Sequence, residues 1–212
     1  GSSLVGSEMC IRDSNKTIKD QIINKAFTLH SQGNISEAKK CYENFINQGF
    51  VDHKVFANYG LILINLGELK KAEIYTRKAI GINPNYAIGY SNLGNIFQRH
   101  GELQKAEVFI RKAIELDPNF SMAYFNLGNI FQRHGELQKA EVFIRKAIEL
   151  DPNFSMAYFN LGNIFQRHGE LQKAEVFIRK AIELDPNFSM AYFNLGNIFQ
   201  RHGELQKAEV FI

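Results

Sequence analysis

The sequence lacks several features that would place it in a common functional class. Its 212 residues contain no apolar run of the roughly 18 residues that a membrane-spanning helix needs. The only two cysteines, Cys10 and Cys41, are too few for a disulfide framework or a metal cluster, and they fit a reducing compartment such as the cytoplasm. No nucleophile–base pair, phosphate loop or paired-carboxylate pocket stands out. We therefore expect neither a membrane protein, nor an enzyme, nor a bound cofactor.

The chain also lacks a strong charge of either sign. The net charge is +3, and the basic excess lies in residues 53–86. Acidic residues there are Glu68 and Glu73, and the cations that outnumber them are Lys54, Lys70, Lys71, Arg77 and Lys78. A repeat protein that binds nucleic acid is expected to carry basic residues along its whole length. This modest patch argues against a nucleic-acid partner, and we predict none.

What the sequence does contain is a 34-residue repeat. Residues 121–154 return unchanged at 155–188 and begin again at 189–212, and residues 87–120 differ from them only at Ala87, Ile88, Gly89 and Ser91. Self-similarity at a fixed period of this length indicates a repeat array. The register gives the blocks 19–52, 53–86, 87–120, 121–154, 155–188 and the partial 189–212. Residues 1–18 share nothing with the blocks, and we predict a leader or tag outside the fold.

Each block has the pattern of a helix, a tight turn and a second helix. One apolar face begins at Ala123 and ends before Gly135, a residue type favoured just past a helix end. A second apolar stripe runs from Leu137 to Leu150, and Pro152 cannot continue that helix. A helical hairpin of this size has too small a core to stand alone, so we expect neighbouring blocks to stack.

The residues at fixed places in each block resemble the tetratricopeptide repeat (TPR). The matching positions in one block are Tyr124, Leu127, Gly128, Phe131, Ala140, Ala147 and Pro152. Gly128 and Ala140 are small enough to let the two helices approach closely. The block 19–52 matches weakly, with Lys25 in place of leucine and Phe50 in place of proline, as suits a capping repeat. The resemblance implies an all-α, right-handed solenoid of stacked antiparallel hairpins that binds proteins or peptides.

The resemblance also implies that the first helix of each hairpin lines a concave groove. One groove position is asparagine in all six blocks, and the position three residues later is asparagine in the last four. This arrangement is similar to the asparagine ladder in the TPR arm of O-linked N-acetylglucosamine transferases. The predicted peptide-binding residues are Asn92, Asn95, Asn126, Asn129, Asn160, Asn163, Asn194, Asn197, Met122, Phe125, Phe159, Gln132, Arg133 and Arg167.

The physical basis for this site is the spacing of the amides. Packed helices lie about 8–10 Å apart, and an extended peptide advances about 3.3 Å per residue, so one amide could meet every third residue. An amide both donates and accepts, which suits a peptide backbone. Two alternatives stay open: the asparagines could serve packing, and Phe125 and Met122 could pack on the adjacent first helix.

The recurrent histidines do not indicate a metal site. His100, His134, His168 and His202 lie one repeat apart, whereas zinc needs its ligands within about 2.1 Å of one ion. We therefore predict no metal. Each histidine instead precedes a glycine at the end of a first helix, where positive charge is favourable.

The leading hypothesis is a peptide- or protein-binding scaffold that uses the concave face. One alternative is the substrate-recognition arm of a larger enzyme, of glycosyltransferase or sulfotransferase type, whose catalytic domain is absent. Another is a truncated chain suited to studying repeat amplification. The sequence stops at Ile212 in the middle of a second helix, so we also predict fraying or self-association through residues 204–212.

Overall fold

The computed structural model describes the backbone from residue 2 to residue 201 and the side chains from residue 17 to residue 201. Within that range the chain forms helices and no strand, which confirms the all-α fold. The helices are α1 (Ser2–Ser31), α2 (Ile35–Asn47), α3 (His53–Asn65), α4 (Leu69–Ile82), α5 (Ala87–Arg99), α6 (Leu103–Leu116), α7 (Ser121–Arg133), α8 (Leu137–Leu150), α9 (Ser155–Arg167), α10 (Leu171–Leu184) and α11 (Ser189–Arg201). From α4 onward, each helix begins one full period of 34 residues after its counterpart in the preceding block.

The chain divides into two compact units, Gly1–Ile96 and Phe97–Ile212, and the boundary falls inside α5. In the first unit, α1 packs on α2 and α3 packs on α4. One part of its core joins Phe56, Ala57 and Ala79, with Tyr75 and Tyr86 packed against them. This unit contains the divergent blocks. The aromatic residues Phe56, Tyr75 and Tyr86 have different aromatic counterparts, Tyr124, Phe143 and Phe154, in the copied repeat.

In the second unit, α7 pairs with α8 and α9 pairs with α10 as antiparallel hairpins. Each hairpin then contacts the next, α8 against α9 and α10 against α11. The stacking of neighbouring blocks is therefore confirmed within this unit. The apolar residues of both stripes form the core, and Ala140, Ile144 and Ala147 are all fully buried.

Glycine permits the close approach of the two helices of a hairpin. A Cβ atom built on Gly128 would lie 2.5 Å from Ile144 Cγ1 and 3.2 Å from the carbonyl oxygen of Ala140. The corresponding distances at Gly162 are 2.6 Å to Ile178 and 3.1 Å to Ala174. Such contacts are too short for any larger residue without a shift of the helices. The structure confirms that Gly128 and Ala140 set the helix separation.

The turns also follow the predicted chemistry. Gly135 has a φ of 79°, a left-handed conformation that glycine adopts without strain, and it lies between α7 and α8. After α8, the side chain of Asp151 accepts a hydrogen bond of 3.1 Å from the backbone N–H of Asn153. This local turn at the proline ends the helix and returns the chain to the next block.

The first helix crosses the predicted end of the leader. α1 is continuous from Ser2 to Ser31, and the assignment of residues 1–18 to a leader or tag stays a prediction. The end of α1 keeps the register, since Ser31 occupies the same place in its block as Asn65, where α3 ends. The predicted fraying or association at residues 204–212 falls outside the described residues.

Candidate functional site

The predicted groove residues lie at the same positions in α7, α9 and α11, the first helices of the copied repeats. The side chains of Met122, Arg133 and Arg167 are exposed, and that of Gln132 is half-buried. Their copies Met156, Met190 and Arg201 are also exposed. These residues are accessible to a ligand, as the sequence predicted. We call this set, with the second-position asparagines Asn129, Asn163 and Asn197, the first-helix face.

The phenylalanines of the predicted groove are buried, so their assignment as exposed contacts is wrong. Phe125 is only 5% exposed and Phe159 only 6%. Their rings lie against Phe154 and Phe188, at centroid distances of 4.8 and 4.9 Å. The covering ring comes from the turn that closes the same repeat. The recurrence of a phenylalanine after each Asp-Pro-Asn is the signal that could have predicted this contact.

The first asparagine position does not form a uniform ladder. Asn92 and Asn126 are buried, whereas Asn160 and Asn194 are half-buried and Asn24 is exposed. The amides at this position therefore differ in exposure from block to block. Burial of an amide is tolerated when it is hydrogen-bonded, and the Asn92 side chain donates a bond of 3.0 Å to the carbonyl of Ala57.

The two asparagine positions bond to each other between neighbouring repeats. Asn160 Nδ2 donates to Asn129 Oδ1 at 2.6 Å, and Asn194 Nδ2 donates to Asn163 Oδ1 at 2.7 Å. Sequence reasoning treated these positions as two independent columns. Each bond uses one donor and one acceptor, and a pair of carboxamides has four N–H donors and two acceptor oxygens in total. The pairs therefore hold the repeats together and still have hydrogen-bonding capacity at their half-buried edge.

The arginines also contact the preceding repeat. Arg133 Nη1 donates to the carbonyl of Gln98 at 2.6 Å, and Arg167 Nη1 donates to that of Gln132 at 3.3 Å. Each acceptor lies in the last turn of a first helix and also accepts from the N–H of the glycine that follows, at 3.1 Å from Gly101 to Gln98 and 3.2 Å from Gly135 to Gln132. A guanidinium has five N–H donors in a planar fork, so one such bond fixes the side chain and leaves its other donors directed outward.

The first-helix face is positively charged. Arginine is the only charged residue in each of α7, α9 and α11, which share the sequence SMAYFNLGNIFQR. The acidic residues of these repeats lie on the second helices or directly before or after them; Glu141 pairs with Arg145, Glu149 pairs with Lys146, and Asp151 is the C-cap of α8. Each repeat is therefore neutral in total, although its first helix is positively charged. This separation favours a ligand with negative charge.

Aromatic stacks within each hairpin, covered by an arginine of the preceding repeat, were not predicted from the sequence. Phe131 and Phe143 stack with an angle of 9° between their planes and a centroid distance of 5.4 Å. The guanidinium of Arg111, from the preceding repeat, lies 5.9 Å from each ring centroid. The same contact recurs at Arg145, over Phe165 and Phe177. These arginines join neighbouring hairpins through cation–π contacts.

Other classes of site receive no support from the described residues. Within them, no three His, Cys, Asp or Glu side chains come together as a metal-binding group. His134 lies at the C-terminal cap of α7, and His168 at that of α9. None of the described helices combines the length and the apolar character that a membrane span requires.

A stack of two-helix hairpins with one fixed period defines an α-helical repeat protein. Family models described as "Tetratricopeptide repeat" match residues 53–86, 87–120, 121–154, 155–188 and 177–210. These matches cover most of the sequence, and the chain belongs to the tetratricopeptide-repeat family. No curated protein matches the sequence at a significant level.

Solved structures of TPR proteins share the fold. A crystal structure of MamA is 26% identical, with a TM-score of 0.60, and the match covers 72% of this chain and 89% of that one. A thermophilic TPR protein from Thermus thermophilus is 18% identical, with a TM-score of 0.76 and coverage of 86% and 99%. YrrB, described as a TPR protein with an unusual peptide-binding site, is 22% identical, with a TM-score of 0.55 and coverage of 79% and 86%. The family and these structures support a protein-interaction scaffold.

Proposed function

We propose that the chain is a non-catalytic scaffold whose first-helix face binds an extended peptide segment bearing acidic side chains. The observation that carries this proposal is the row of exposed arginines Arg133, Arg167 and Arg201, each the only charge on its helix. A carboxylate accepts charge-assisted bonds from a guanidinium, and these are stronger than bonds between neutral groups. YrrB shows that a member of this fold can have a peptide-binding site.

The peptide backbone would be held by the asparagine pairs. Asn129 and Asn163 are half-buried, and each uses its Oδ1 atom to accept from the next repeat. Their amide N–H groups are therefore the natural donors to a backbone carbonyl. Since neighbouring helices pack about 8–10 Å apart, the same contact recurs after about three residues of an extended chain at about 3.3 Å each. The preferred ligand has an acidic residue at about every third position.

The setting is consistent with this role. We propose a cytoplasmic location, with which the free thiol of Cys41 is compatible. The face offers no group that would perform chemistry on a bound peptide, because its side chains are thioethers, amides and guanidinium groups. Binding, and not turnover, is therefore the activity to measure.

Fluorescence anisotropy with designed peptides tests the proposal. The probe is a labelled peptide with four repeats of Glu-Gly-Ser, and the comparison peptide has Lys-Gly-Ser. We expect binding of the acidic peptide alone, with an affinity that falls as salt screens the charges. The triple variant R133Q/R167Q/R201Q should weaken binding by about tenfold or more, since three exposed charge pairs each contribute about 0.5–1 kcal/mol.

A matched variant controls for net charge. K112Q/K146Q/K180Q removes the same three charges from the second helices, where each lysine pairs with a glutamate on its own helix. We expect this variant to bind the acidic peptide nearly as well as the original protein. Equal losses for both triple variants would show attraction to net charge alone, and that outcome would overturn the first-helix face as the site.

A further inference from the structure

A pocket in the first unit has a lining that the copied repeats do not share. It has a volume of about 240 Å³ and lies between α1, α2 and α3. Its lining residues are Phe27, His30, Ser31, Tyr42 and Asn58. In the copied repeat at 121–154 and the helix that follows it, the corresponding residues are Asn129, Gln132, Arg133, Ile144 and Asn160. Only the asparagine at position 58 is common to both sets.

The pocket exists because one hydrogen bond of the copied repeats cannot form here. Asn160 donates to Asn129, but the position of Asn129 is taken by Phe27, whose ring cannot accept such a bond. The Asn58 amide instead lies beside the hydroxyl of Tyr42 in the lining of the pocket. The hydroxyl in turn lies 3.2 Å from Nδ1 of His30. Tyr42 is thus fixed as the floor of the pocket, and Asn58 stands at its side.

Aromatic rings form the walls. The ring of Phe27 lies 6.2 Å from that of Tyr42, and the imidazole of His30 meets the same ring edge-on at 6.0 Å. Phe27 and His30 are half-buried, so part of each ring faces the opening. Ser31 is exposed at the rim, and its hydroxyl donates to the carbonyl of Thr28, which leaves its oxygen as an acceptor.

The pocket carries no fixed charge at neutral pH. Burial lowers the pKa of the His30 imidazole below its ordinary value, which keeps the ring neutral. Serine takes the place at which the copied repeats have an arginine. An ionised ligand group would find no opposite charge here and would lose its favourable hydration free energy. A neutral group has less hydration free energy to lose.

We propose that this pocket binds the side chain of a tyrosine in a partner peptide. Aromatic rings favour edge-to-face or offset contacts with the rings of Phe27 and His30. The phenol hydroxyl of the ligand can donate to the hydroxyl oxygen of Ser31 and can accept from the amide N–H groups of Asn58. The set of five residues occurs once in the sequence, so the pocket can recognise a residue that identical repeats cannot distinguish.

Titration of the full ¹⁵N-labelled chain with N-acetyl-L-tyrosinamide, followed by NMR, tests the pocket without any peptide ligand. We expect saturable shifts of the backbone amides of residues 27, 30, 31 and 58. N-acetyl-L-leucinamide should bind about fivefold more weakly, because it lacks the ring contacts. Absence of saturable shifts, or equal affinity for the two probes, would overturn the proposal.

Two variants sharpen the test. F27N gives the first block the residue of the copied repeats, so Asn58 regains the acceptor that Asn160 has, and tyrosinamide binding should be lost. S31R places a long charged side chain at the rim, at an exposed position where folding is preserved, and should weaken binding at least fivefold. N129F alters the second unit alone and should leave tyrosinamide binding unchanged. Unaltered binding by S31R would contradict the assignment even if F27N fails to fold.

Discussion

The two units build one type of hairpin from different contacts. In the second unit, the same stacks and asparagine pairs recur with nearly the same distances, as in Phe131–Phe143 at 5.4 Å and Phe165–Phe177 at 5.4 Å. In the first unit a tyrosine cluster takes this role, with Tyr42 at 6.3 Å from Tyr59 and Tyr59 at 4.8 Å from Tyr75. The buried small residues are shared, such as Ala38, Ala72 and Ala140. The separation of helices within a hairpin is therefore the common physical requirement of the fold, and the contacts beyond it are interchangeable.

The largest expected loss of stability comes from a substitution that prevents the close approach of the two helices in a hairpin. G128V places methyl groups where a Cβ alone would lie 2.5 Å from Ile144 and 3.2 Å from a backbone carbonyl that cannot move aside. Overpacking of this kind costs about 1–3 kcal/mol and can cost more when the backbone must shift. We expect a lower midpoint of urea denaturation and loss of helix signal in circular dichroism.

Gly81 provides the control for this prediction. It lies in α4, is exposed, and has no atom within 4 Å of a built Cβ. G81A should stabilise the protein by about 0.5–1 kcal/mol, because alanine has the higher helix propensity. A destabilising G81A, or a neutral G128V, would show that hairpin spacing is not what the glycines provide.

The next effect compares two copies of one residue. Phe159 is 6% exposed beneath Phe188, whereas Phe193, at the same place in an identical helix, is 54% exposed. F159A should cost about 3 kcal/mol of unfolding free energy through the lost contacts and the cavity. F193A should cost less than about 0.5 kcal/mol, as is usual at exposed positions. Urea denaturation of both variants measures the difference, and equal losses would contradict the structural distinction.

A smaller difference in stability is expected between substitutions of two neighbouring cations on one second helix, Arg145 and Lys146. Arg145 pairs with Glu141 and also lies over the rings of Phe165 and Phe177, at 5.6 and 5.5 Å. Lys146 pairs only with Glu149, three residues on. R145A should destabilise the second unit by about 1 kcal/mol, since cation–π contacts contribute about 0.5–1 kcal/mol at exposed sites. K146A should change stability by only a few tenths of a kcal/mol, and a reversed order in thermal denaturation would exclude the stacking role.

The sequence predicted the features that depend on residues close together in the chain, which are the helices and their spacing. It did not predict the contacts between residues that are distant in the chain. Helix bounds and the close approach at Gly128 follow from residues within one hairpin. The contact of Phe125 with Phe154 joins the start of a repeat to its closing turn, and that of Asn160 with Asn129 joins two neighbouring repeats. Periodicity places such residues on a face, but it does not say whether a neighbouring side chain covers them.

The smallest effect concerns pH and the one imidazole that replaces a glutamine of the copied repeats. Burial lowers the pKa of His30 in the folded state below the ordinary value of 6.5, so the unfolded state binds more protons as the pH falls through that value. Stability from the neutral imidazole is therefore present above about pH 6.5 and is lost on acidification. H30Q supplies the uncharged residue of the copies and removes this titration. Between pH 7.5 and pH 5.5, the original protein should lose more unfolding free energy than H30Q, by less than about 1 kcal/mol because His30 is only partly buried. Urea denaturation of both proteins at each pH isolates the difference, since all other titrating groups are common to the two, and parallel losses would show that His30 is equally easy to protonate in the folded chain.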